Sequence, residues 1–277
     1  MEKLIAKADI LIEALPYIRK FCGKTFVVKF GGKAMLEASF KASVVEDIAL
    51  LKYIGVNTIV VHGGGPEITS AIEKTGRKTE FINGLRVTDK ETMTIVESVL
   101  MNRVNKEIVS LFKKHHGKAG GYSGKEHGLI AAKQMDPALG YVGKIEHIDL
   151  SFLEKNSDQI HVIAPIGRGK DGQSYNINAD DAAAEIAIAA KAEKLLILTD
   201  VNGVLDREKK LLSTIRVSEV KKLVEEGVLA GGMIPKVTGA ASAVQRGVKK
   251  VHIINGNIKH SLLLEIFTDK GIGTEIL

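Results

Sequence analysis

Apolar residues gather along the chain in two alternating patterns. Short unbroken runs, TFVVKF (25–30), NTIVVH (57–62), QIHVIAPI (159–166), KLLILT (194–199) and KKVHIIN (249–255), have the length and branched side chains of buried strands. Between most of them apolar positions recur at three- and four-residue steps. SFKASVVEDIALLKYIG, DKETMTIVESVLMNRVNKEIVSLF and NADDAAAEIAIAAKA read as helices that bury one face. Strands that alternate with helices predict an α/β chain, a three-layer αβα sandwich with a mainly parallel central sheet.

Three stretches depart from the alternation. KTEFINGLRVT (78–88) carries the turn dipeptide Asn83-Gly84, and GRGKDGQSYNI (167–177) carries Asp171-Gly172, so both predict hairpins outside the main sheet. In the first 24 residues, apolar positions 4, 5, 8, 11, 12, 15 and 18 form a helical stripe with Pro16 inside it. An interior proline costs a helix roughly 3 kcal/mol, which predicts a kink or break near residues 12–16. The stripe must be covered, either by its own domain or by another subunit. No long linker divides the rest. A soft boundary near residue 191 gives an N-terminal helix (1–24), a first lobe (25–190) and a second lobe (191–277) opening on KLLILTDVNGVL.

Composition narrows the class. Of the 277 residues, 45% are hydrophobic and 26% charged, as in ordinary globular proteins. The apolar runs are too short to span a bilayer, and MEKLIAKADI has no continuous signal-peptide core. Cys22 stands alone and cannot close an internal disulfide. These features together predict a cytoplasmic protein. A net charge of +6 fits either a solvated basic surface or an anionic ligand. Nucleic acid is disfavoured, because no dense basic stripe with interleaved aromatics and no helix-turn-helix or zinc spacing is present. The histidines are scattered, and none is spaced as a metal-ligand pair.

The candidate chemistry lies in the glycine loops. Gly31-Gly32 follows the first strand, and HGGGP (62–66) follows the second and opens a helix. One such loop is a tight turn as readily as an anion cradle. Two, each leaving a strand of one sheet, favour the cradle, since ligands bind at strand carboxyl ends. GRGKDG (167–172) spells the dinucleotide fingerprint but leads into a strand, so it is read as a hairpin tip. The pattern G-x-x-x-x-G-K-[ST] is absent, so phosphate would have to be neutralised by lysines and Mg²⁺. YNINADDAAAEIA offers Asn178 as helix cap with Asp180 and Asp181 in the first turn, and GGMIPKVTGAASAV sets Lys236 at another helix start.

Six segments in register, VVKFGGKAM, VHGGGPEI, FINGLRVTD, YNINADDAA, LTDVNGVL and GGMIPKV, resemble the amino acid kinase family from residue 25 to about residue 270. NGLRVTD with YNINAD resembles the branch that acts on N-acetyl-L-glutamate rather than aspartokinase, carbamate kinase or uridylate kinase. The resemblance implies ATP-dependent phosphorylation of that acid's side-chain carboxylate, in arginine biosynthesis. Lys29 and Lys236 would flank the transferring phosphoryl group, with Asp180 between them. Gly64 and Gly65 would cradle the γ-carboxylate side of the substrate, and Arg86 and Asn176 its α-carboxylate and acetamido end. Gly31 and Gly32 would contact ATP phosphates, and the segment with Thr199, Asp200, Gly203 and Leu205 would line the nucleotide pocket. Mg²⁺ would be held mainly through the nucleotide, with no protein ligand.

ILIEALPYIRKF and LLLEIFTDKGIGTEI resemble the arginine-sensitive members, in which a kinked helix links dimers into a hexamer. That resemblance implies arginine as an inhibitor near Tyr17, Glu265 and Gly273. Two departures stand out. Lys33 replaces the family's usual small residue, and is read as pointing to solvent or tuning phosphate binding. GYSGKEHG (121–128) varies the usual GLSGKDGG.

Overall fold

The structure, a computed structural model, describes residues 1–31, 37–115 and 117–277, with every side chain except those of residues 2, 3 and 6–8. Helix α1 (Glu2–Phe21) leads into strand β1 (Thr25–Phe30), followed by α2 (Ala38–Tyr53), β2 (Asn57–His62) and α3 (Gly65–Glu73). A hairpin of β3 (Phe81–Ile82) and β4 (Leu85–Arg86) comes next. One long helix then runs through α4 (Lys90–Glu97), a π-helical stretch (Ser98–Asn105) and α5 (Lys106–Lys114). Strands β5 (Ala119–Ser123), β6 (Ile130–Gln134) and β7 (Gly143–Ile148) lead to the short helix α6 (Ser151–Lys155). They are followed by β8 (Ile160–Ala164), β9 (Ile166–Arg168), β10 (Ser174–Asn176) and α7 (Ala179–Ala189). The remainder comprises β11 (Lys194–Thr199), β12 (Thr214–Ile215), α8 (Val220–Glu225), α9 (Met233–Gln245), β13 (Lys250–Asn255), α10 (Ser261–Ile266) and β14 (Thr274–Ile276).

The central sheet has eight strands in the order β12-β14-β13-β11-β1-β2-β8-β5. Only the β13–β14 pairing is antiparallel. The five runs predicted as strands are the five adjacent central strands. The sheet passes without interruption across residue 191, because β11 pairs directly with β1. Residues alternate between its faces: Phe26, Val28 and Phe30 of β1 pack with Val44, Val45 and Ile48 of α2. Val27 packs on the other face with Ala182, Ala183 and Ile186 of α7. Lys29 shares the face of Val27, which aims it at the start of α7.

Both expected hairpins form. Asn83 and Gly84 have φ of 49° and 80°, the left-handed pair that a two-residue turn between twisted strands requires. β9 and β10 pair antiparallel through the GRGKDG loop, and no helix begins there. They join β6 and β7 in a second sheet of order β10-β9-β6-β7 that the apolar pattern does not announce. The break expected in α1 is absent, since the helix runs continuously from Glu2 to Phe21 through Pro16. Its last turn is anchored: Phe21 is buried edge-to-face on Phe26, and Tyr17 packs edge-to-face on Phe267. Among the described residues, no helix is long and apolar enough to cross a membrane.

Candidate active site

Three chain segments converge on one carboxylate. Asn178 caps α7, its Oδ1 accepting from the backbone N–H of Asp180 at 2.8 Å and of Asp181 at 3.2 Å. The cap fixes Asp180 in the first turn, above the carboxyl end of β1. There Lys29 Nζ lies 2.9 Å from Asp180 Oδ1, and Lys236 Nζ, from the first turn of α9, donates to Oδ2 at 2.6 Å. Small residues on both helices, Ala183 and Ala187 on α7 with Ala240 and Ala243 on α9, allow the close approach that joins Lys236 to Asp180. Burial is the largest influence on the Asp180 carboxyl and opposes ionisation. The two ammonium groups together outweigh it and hold the carboxyl below its ordinary pKa. Burial, with the charges of Asp180 and Glu185, pushes Asp181 the other way.

Lys29 and Asp180 line a cleft of about 270 Å³ along the carboxyl ends of the strands. Its floor is the loop Gly63–Gly65 and the first turn of α3, whose N-terminus no side chain caps. A Cβ on Gly64 would lie 2.6 Å from Leu100 Cδ2, and one on Gly31 would lie 3.1 Å from Lys29 Nζ. Side chains at either position would displace the loop or the lysine. The first turn of α3 offers N–H groups and a positive dipole end, suited to a carboxylate or phosphate.

Arg86 and Asn176 complete the wall. Arg86 is 7% exposed, lies over the ring of Phe81, and donates through Nη2 to Gly65 O at 3.0 Å and Thr69 Oγ1 at 2.8 Å. Its Nη1 is buried without a hydrogen-bond partner. Burial lowers the guanidinium pKa from its ordinary value. A buried cation with an unspent donor in a cleft is matched to an anionic ligand. Asn176 Nδ2 donates to Thr88 Oγ1 at 3.2 Å, and Thr88 donates to the Arg86 carbonyl at 2.8 Å, so both recognition side chains share one network.

The residues expected at the nucleotide lie beyond this cleft. Thr199 ends β11, and its hydroxyl donates to Asp200 Oδ1 at 3.4 Å. Gly203 has φ of 133°, and a Cβ there would lie 2.5 Å from Thr274 Oγ1, so glycine is required twice over. Leu205 is exposed. Gly32 and Lys33 lie outside the described residues.

Tyr17 and Glu265 line a separate cavity of about 600 Å³ between the end of α1 and residues of β11, β13 and α10. The Tyr17 hydroxyl donates to Asp269 Oδ1 at 2.5 Å. Glu265 accepts from the N–H groups of Ile272 at 2.7 Å and Gly273 at 2.9 Å, and from His252 Nδ1 at 2.6 Å. Lys194 Nζ lies 2.8 Å from His252 Nε2, and burial pushes its pKa down to about 8. Of the three residues foreseen for this region, Tyr17 and Glu265 line the same cavity and Gly273 donates to Glu265. His252 and Lys194 belong to the same array but carry no motif that would mark them in the sequence.

His62 and Asn105 are further polar groups at the site that sequence reasoning passed over. His62 stands just before the glycine loop, and Asn105 ends the π-helical stretch. A polar residue on a long amphipathic helix gives no signal that it faces inward.

The profile of the amino acid kinase family matches residues 24–255. An acetylglutamate kinase of Carboxydothermus hydrogenoformans is 52% identical over 290 residues, covering 99% of each chain. One of Persephonella marina is 48% identical over 298 residues, covering all of both. Among solved structures, the N-acetylglutamate synthase of Neisseria gonorrhoeae complexed with coenzyme A and N-acetyl-glutamate superposes with a TM-score of 0.87 at 28% identity. That superposition covers 97% of this chain and 63% of the synthase chain. The same synthase has been solved with coenzyme A and L-arginine, with a TM-score of 0.83, 27% identity and cover of 97% and 65%. Carbamate kinase from Giardia lamblia bound to AMP-PNP, with a TM-score of 0.68 and 19% identity over 92% of this chain and 98% of that one, shares the fold.

Proposed function

The chain belongs to the amino acid kinase family, and on that premise we propose that it transfers the γ-phosphoryl group of ATP to the side-chain carboxylate of N-acetyl-L-glutamate. The products are N-acetyl-L-glutamyl 5-phosphate and ADP, and the step belongs to arginine biosynthesis. The observation that carries the reading is the Lys29–Asp180–Lys236 array on a cleft that also holds Arg86 with an unspent Nη1. Full-length relatives at about half identity carry the name of that activity.

The chemistry follows from the charges. A carboxylate nucleophile is ionised at neutral pH, so no general base is needed. The obstacle is bringing two anions together. Two lysines and one aspartate carry a net single positive charge, placed by ion pairs before any ligand enters. Such preorganised charge stabilises the transferring phosphoryl group and requires little rearrangement during reaction. The N–H groups of Gly64 and Gly65 would face the attacking carboxylate. Arg86 would pair with the α-carboxylate, and Asn176 would hold the acetamido end. Gly31, Thr199, Asp200, Gly203 and Leu205 would serve ATP. Both oxygens of Asp180 are engaged by ammonium groups, so Mg²⁺ accompanying ATP would take its ligands from phosphates and water.

The same reading extends to control and assembly. Arginine would inhibit by entering the cavity walled by Tyr17 and Glu265, a reading supported by the gonococcal synthase having been solved with L-arginine. The enzyme would be cytoplasmic, a hexamer built from dimers joined through α1. Hydroxylamine trapping tests the proposal: the acyl phosphate formed from ATP, Mg²⁺ and N-acetylglutamate is captured as a hydroxamate, with and without arginine. Hydroxamate that falls with arginine is the expected result. Product indifferent to arginine removes the control alone, and product only with glutamate or aspartate moves the acceptor.

A further inference from the structure

The glycine loop that floors the cleft is held from below by one stretch of helix. Its contacts define the arrangement. Leu100 Cδ2 and Val104 Cγ2, both from the π-helical stretch, lie 2.6 and 3.6 Å from where a Gly64 Cβ would stand, so these side chains press directly on the loop. Asn105, from the last position of the stretch, places its Nδ2 3.1 Å from His62 Nε2 and 2.9 Å from the Val162 carbonyl. His62 Nδ1 lies 2.7 Å from the carbonyl of Gly63.

The donors and acceptors in this chain can be arranged in one way only. The carbonyls of Gly63 and Val162 can only accept. His62 Nδ1 must therefore carry a proton and donate to Gly63. Asn105 Nδ2 has two protons, one for Val162 and one for His62 Nε2, which accepts as a lone pair. The imidazole is neutral with a defined tautomer. Burial supports this, pushing its pKa down to about 4, and among the described residues no charged side chain acts on the ring. His62 is fully buried, and Asn105 nearly so. Room for the amide is cut out of β5, since a Cβ on Gly121 would lie 2.0 Å from Asn105 Oδ1. A regular α-helix through residues 98–105 would rotate Asn105 relative to Leu100. π-helical insertions concentrate at functional sites for this kind of re-aiming.

We propose that Asn105 and His62 are the positioning pair of the acceptor site, with the π-helical stretch setting the Asn105 amide so that the His62 imidazole pins the Gly63 carbonyl and thereby orients the N–H groups of Gly64 and Gly65 toward the acceptor carboxylate. Neither side chain touches substrate. The inference rests on the acceptor reading above and deepens it.

Two substitutions and one spectrum test it. Asn105→Leu removes the donor to His62 Nε2. Asn105→Asp replaces the donor by a carboxylate, which can be satisfied only if Nε2 also carries a proton. Both should raise the KM for N-acetylglutamate by about tenfold or more while leaving the KM for ATP within about twofold, the signature of a misplaced acceptor loop. Asn105→Asp alone should add an ionisation near neutral pH to kcat/KM for the acceptor, because the new carboxylate stabilises the imidazolium. A purely structural role would not produce that split between the variants. ¹⁵N NMR of the unmodified protein should show His62 neutral with the proton on Nδ1. An Nε2–H tautomer, or unchanged acceptor KM in both variants, overturns the inference alone. Wild-type enzyme that makes no hydroxamate with N-acetylglutamate overturns the acceptor reading and this inference with it. Should either variant fail to fold, the tautomer decides.

Discussion

Asp180 joins two lysines that lie more than two hundred residues apart in sequence, and the charge count of this triad sets the first prediction. With both lysines the array is net positive, and with either one removed it is neutral. Lys29→Ala and Lys236→Ala should each lower kcat by about 10²-fold or more, as loss of a transition-state charge partner does. Arg86→Ala should instead raise the KM for N-acetylglutamate by roughly 10- to 100-fold with a smaller change in kcat, since its donors are spent on binding. Steady-state kinetics on the three variants separates the roles, and near-normal turnover in both lysine variants would sink the mechanism. The Asp180 carboxyl is depressed, so its ionised form, and the stability it confers, persists above the ordinary carboxylate range and is lost only as pH falls through the lower folded value. Lys29, Asp180 and Lys236 were legible because each stands beside a glycine loop or a helix cap, and Arg86 through the family resemblance. His62 and Asn105 were not, because a buried hydrogen bond between residues 43 apart leaves no local trace.

The contact between α2 and α10 carries a prediction at the scale of elements. Asp47 on α2 is fully buried, and its Oδ1 lies 2.7 Å from Nδ1 of His260, the residue before α10. Its Oδ2 is buried without a partner. Burial is the main influence and pushes the carboxyl up to about 6, against the opposing pull of His260 and the N–H groups of Leu262 and Leu263. A folded pKa above the unfolded one means stability that is full at low pH and is lost as pH rises through about 6. Wild type should therefore lose about 2 kcal/mol relative to Asp47→Asn between pH 4.5 and 7.5, read from urea midpoints at each pH. Parallel curves for the two proteins would refute it. At this scale the central strands declared themselves, because continuous apolar runs such as KLLILT suit strands buried on both faces. The edge strand AGGYS (119–123) and the β6–β7 hairpin did not, since short, glycine-bearing or half-exposed segments carry no periodicity to read.

At the scale of the whole molecule, α1 is held at one end and exposes a run of apolar residues along the rest. Phe21 and Tyr17 secure its last turn, while Leu4, Ile5, Ile10, Leu11, Ile12 and Leu15 are all exposed. Twenty helical residues reach about 30 Å, so the exposed stripe is a long one. An apolar surface of that extent calls for a partner. The unbroken course through Pro16 fits this: the missing hydrogen bond falls at the junction between the anchored turn and the free arm, where no packing forces the chain to bend. The proposed partner is the same helix of another subunit, linking dimers into a hexamer. Deleting residues 1–15 removes the stripe but keeps Tyr17, Phe21 and their aromatic contacts, so the body should fold unchanged. Among the described residues the proposed active-site cleft takes no side chain from α1, so hydroxamate production should persist. Light scattering on the eluting protein should then show the mass fall from six chains of 29.9 kDa to two. An unchanged mass would mean that the stripe is not what joins the dimers. A fall to one chain would mean that α1 also holds each dimer together.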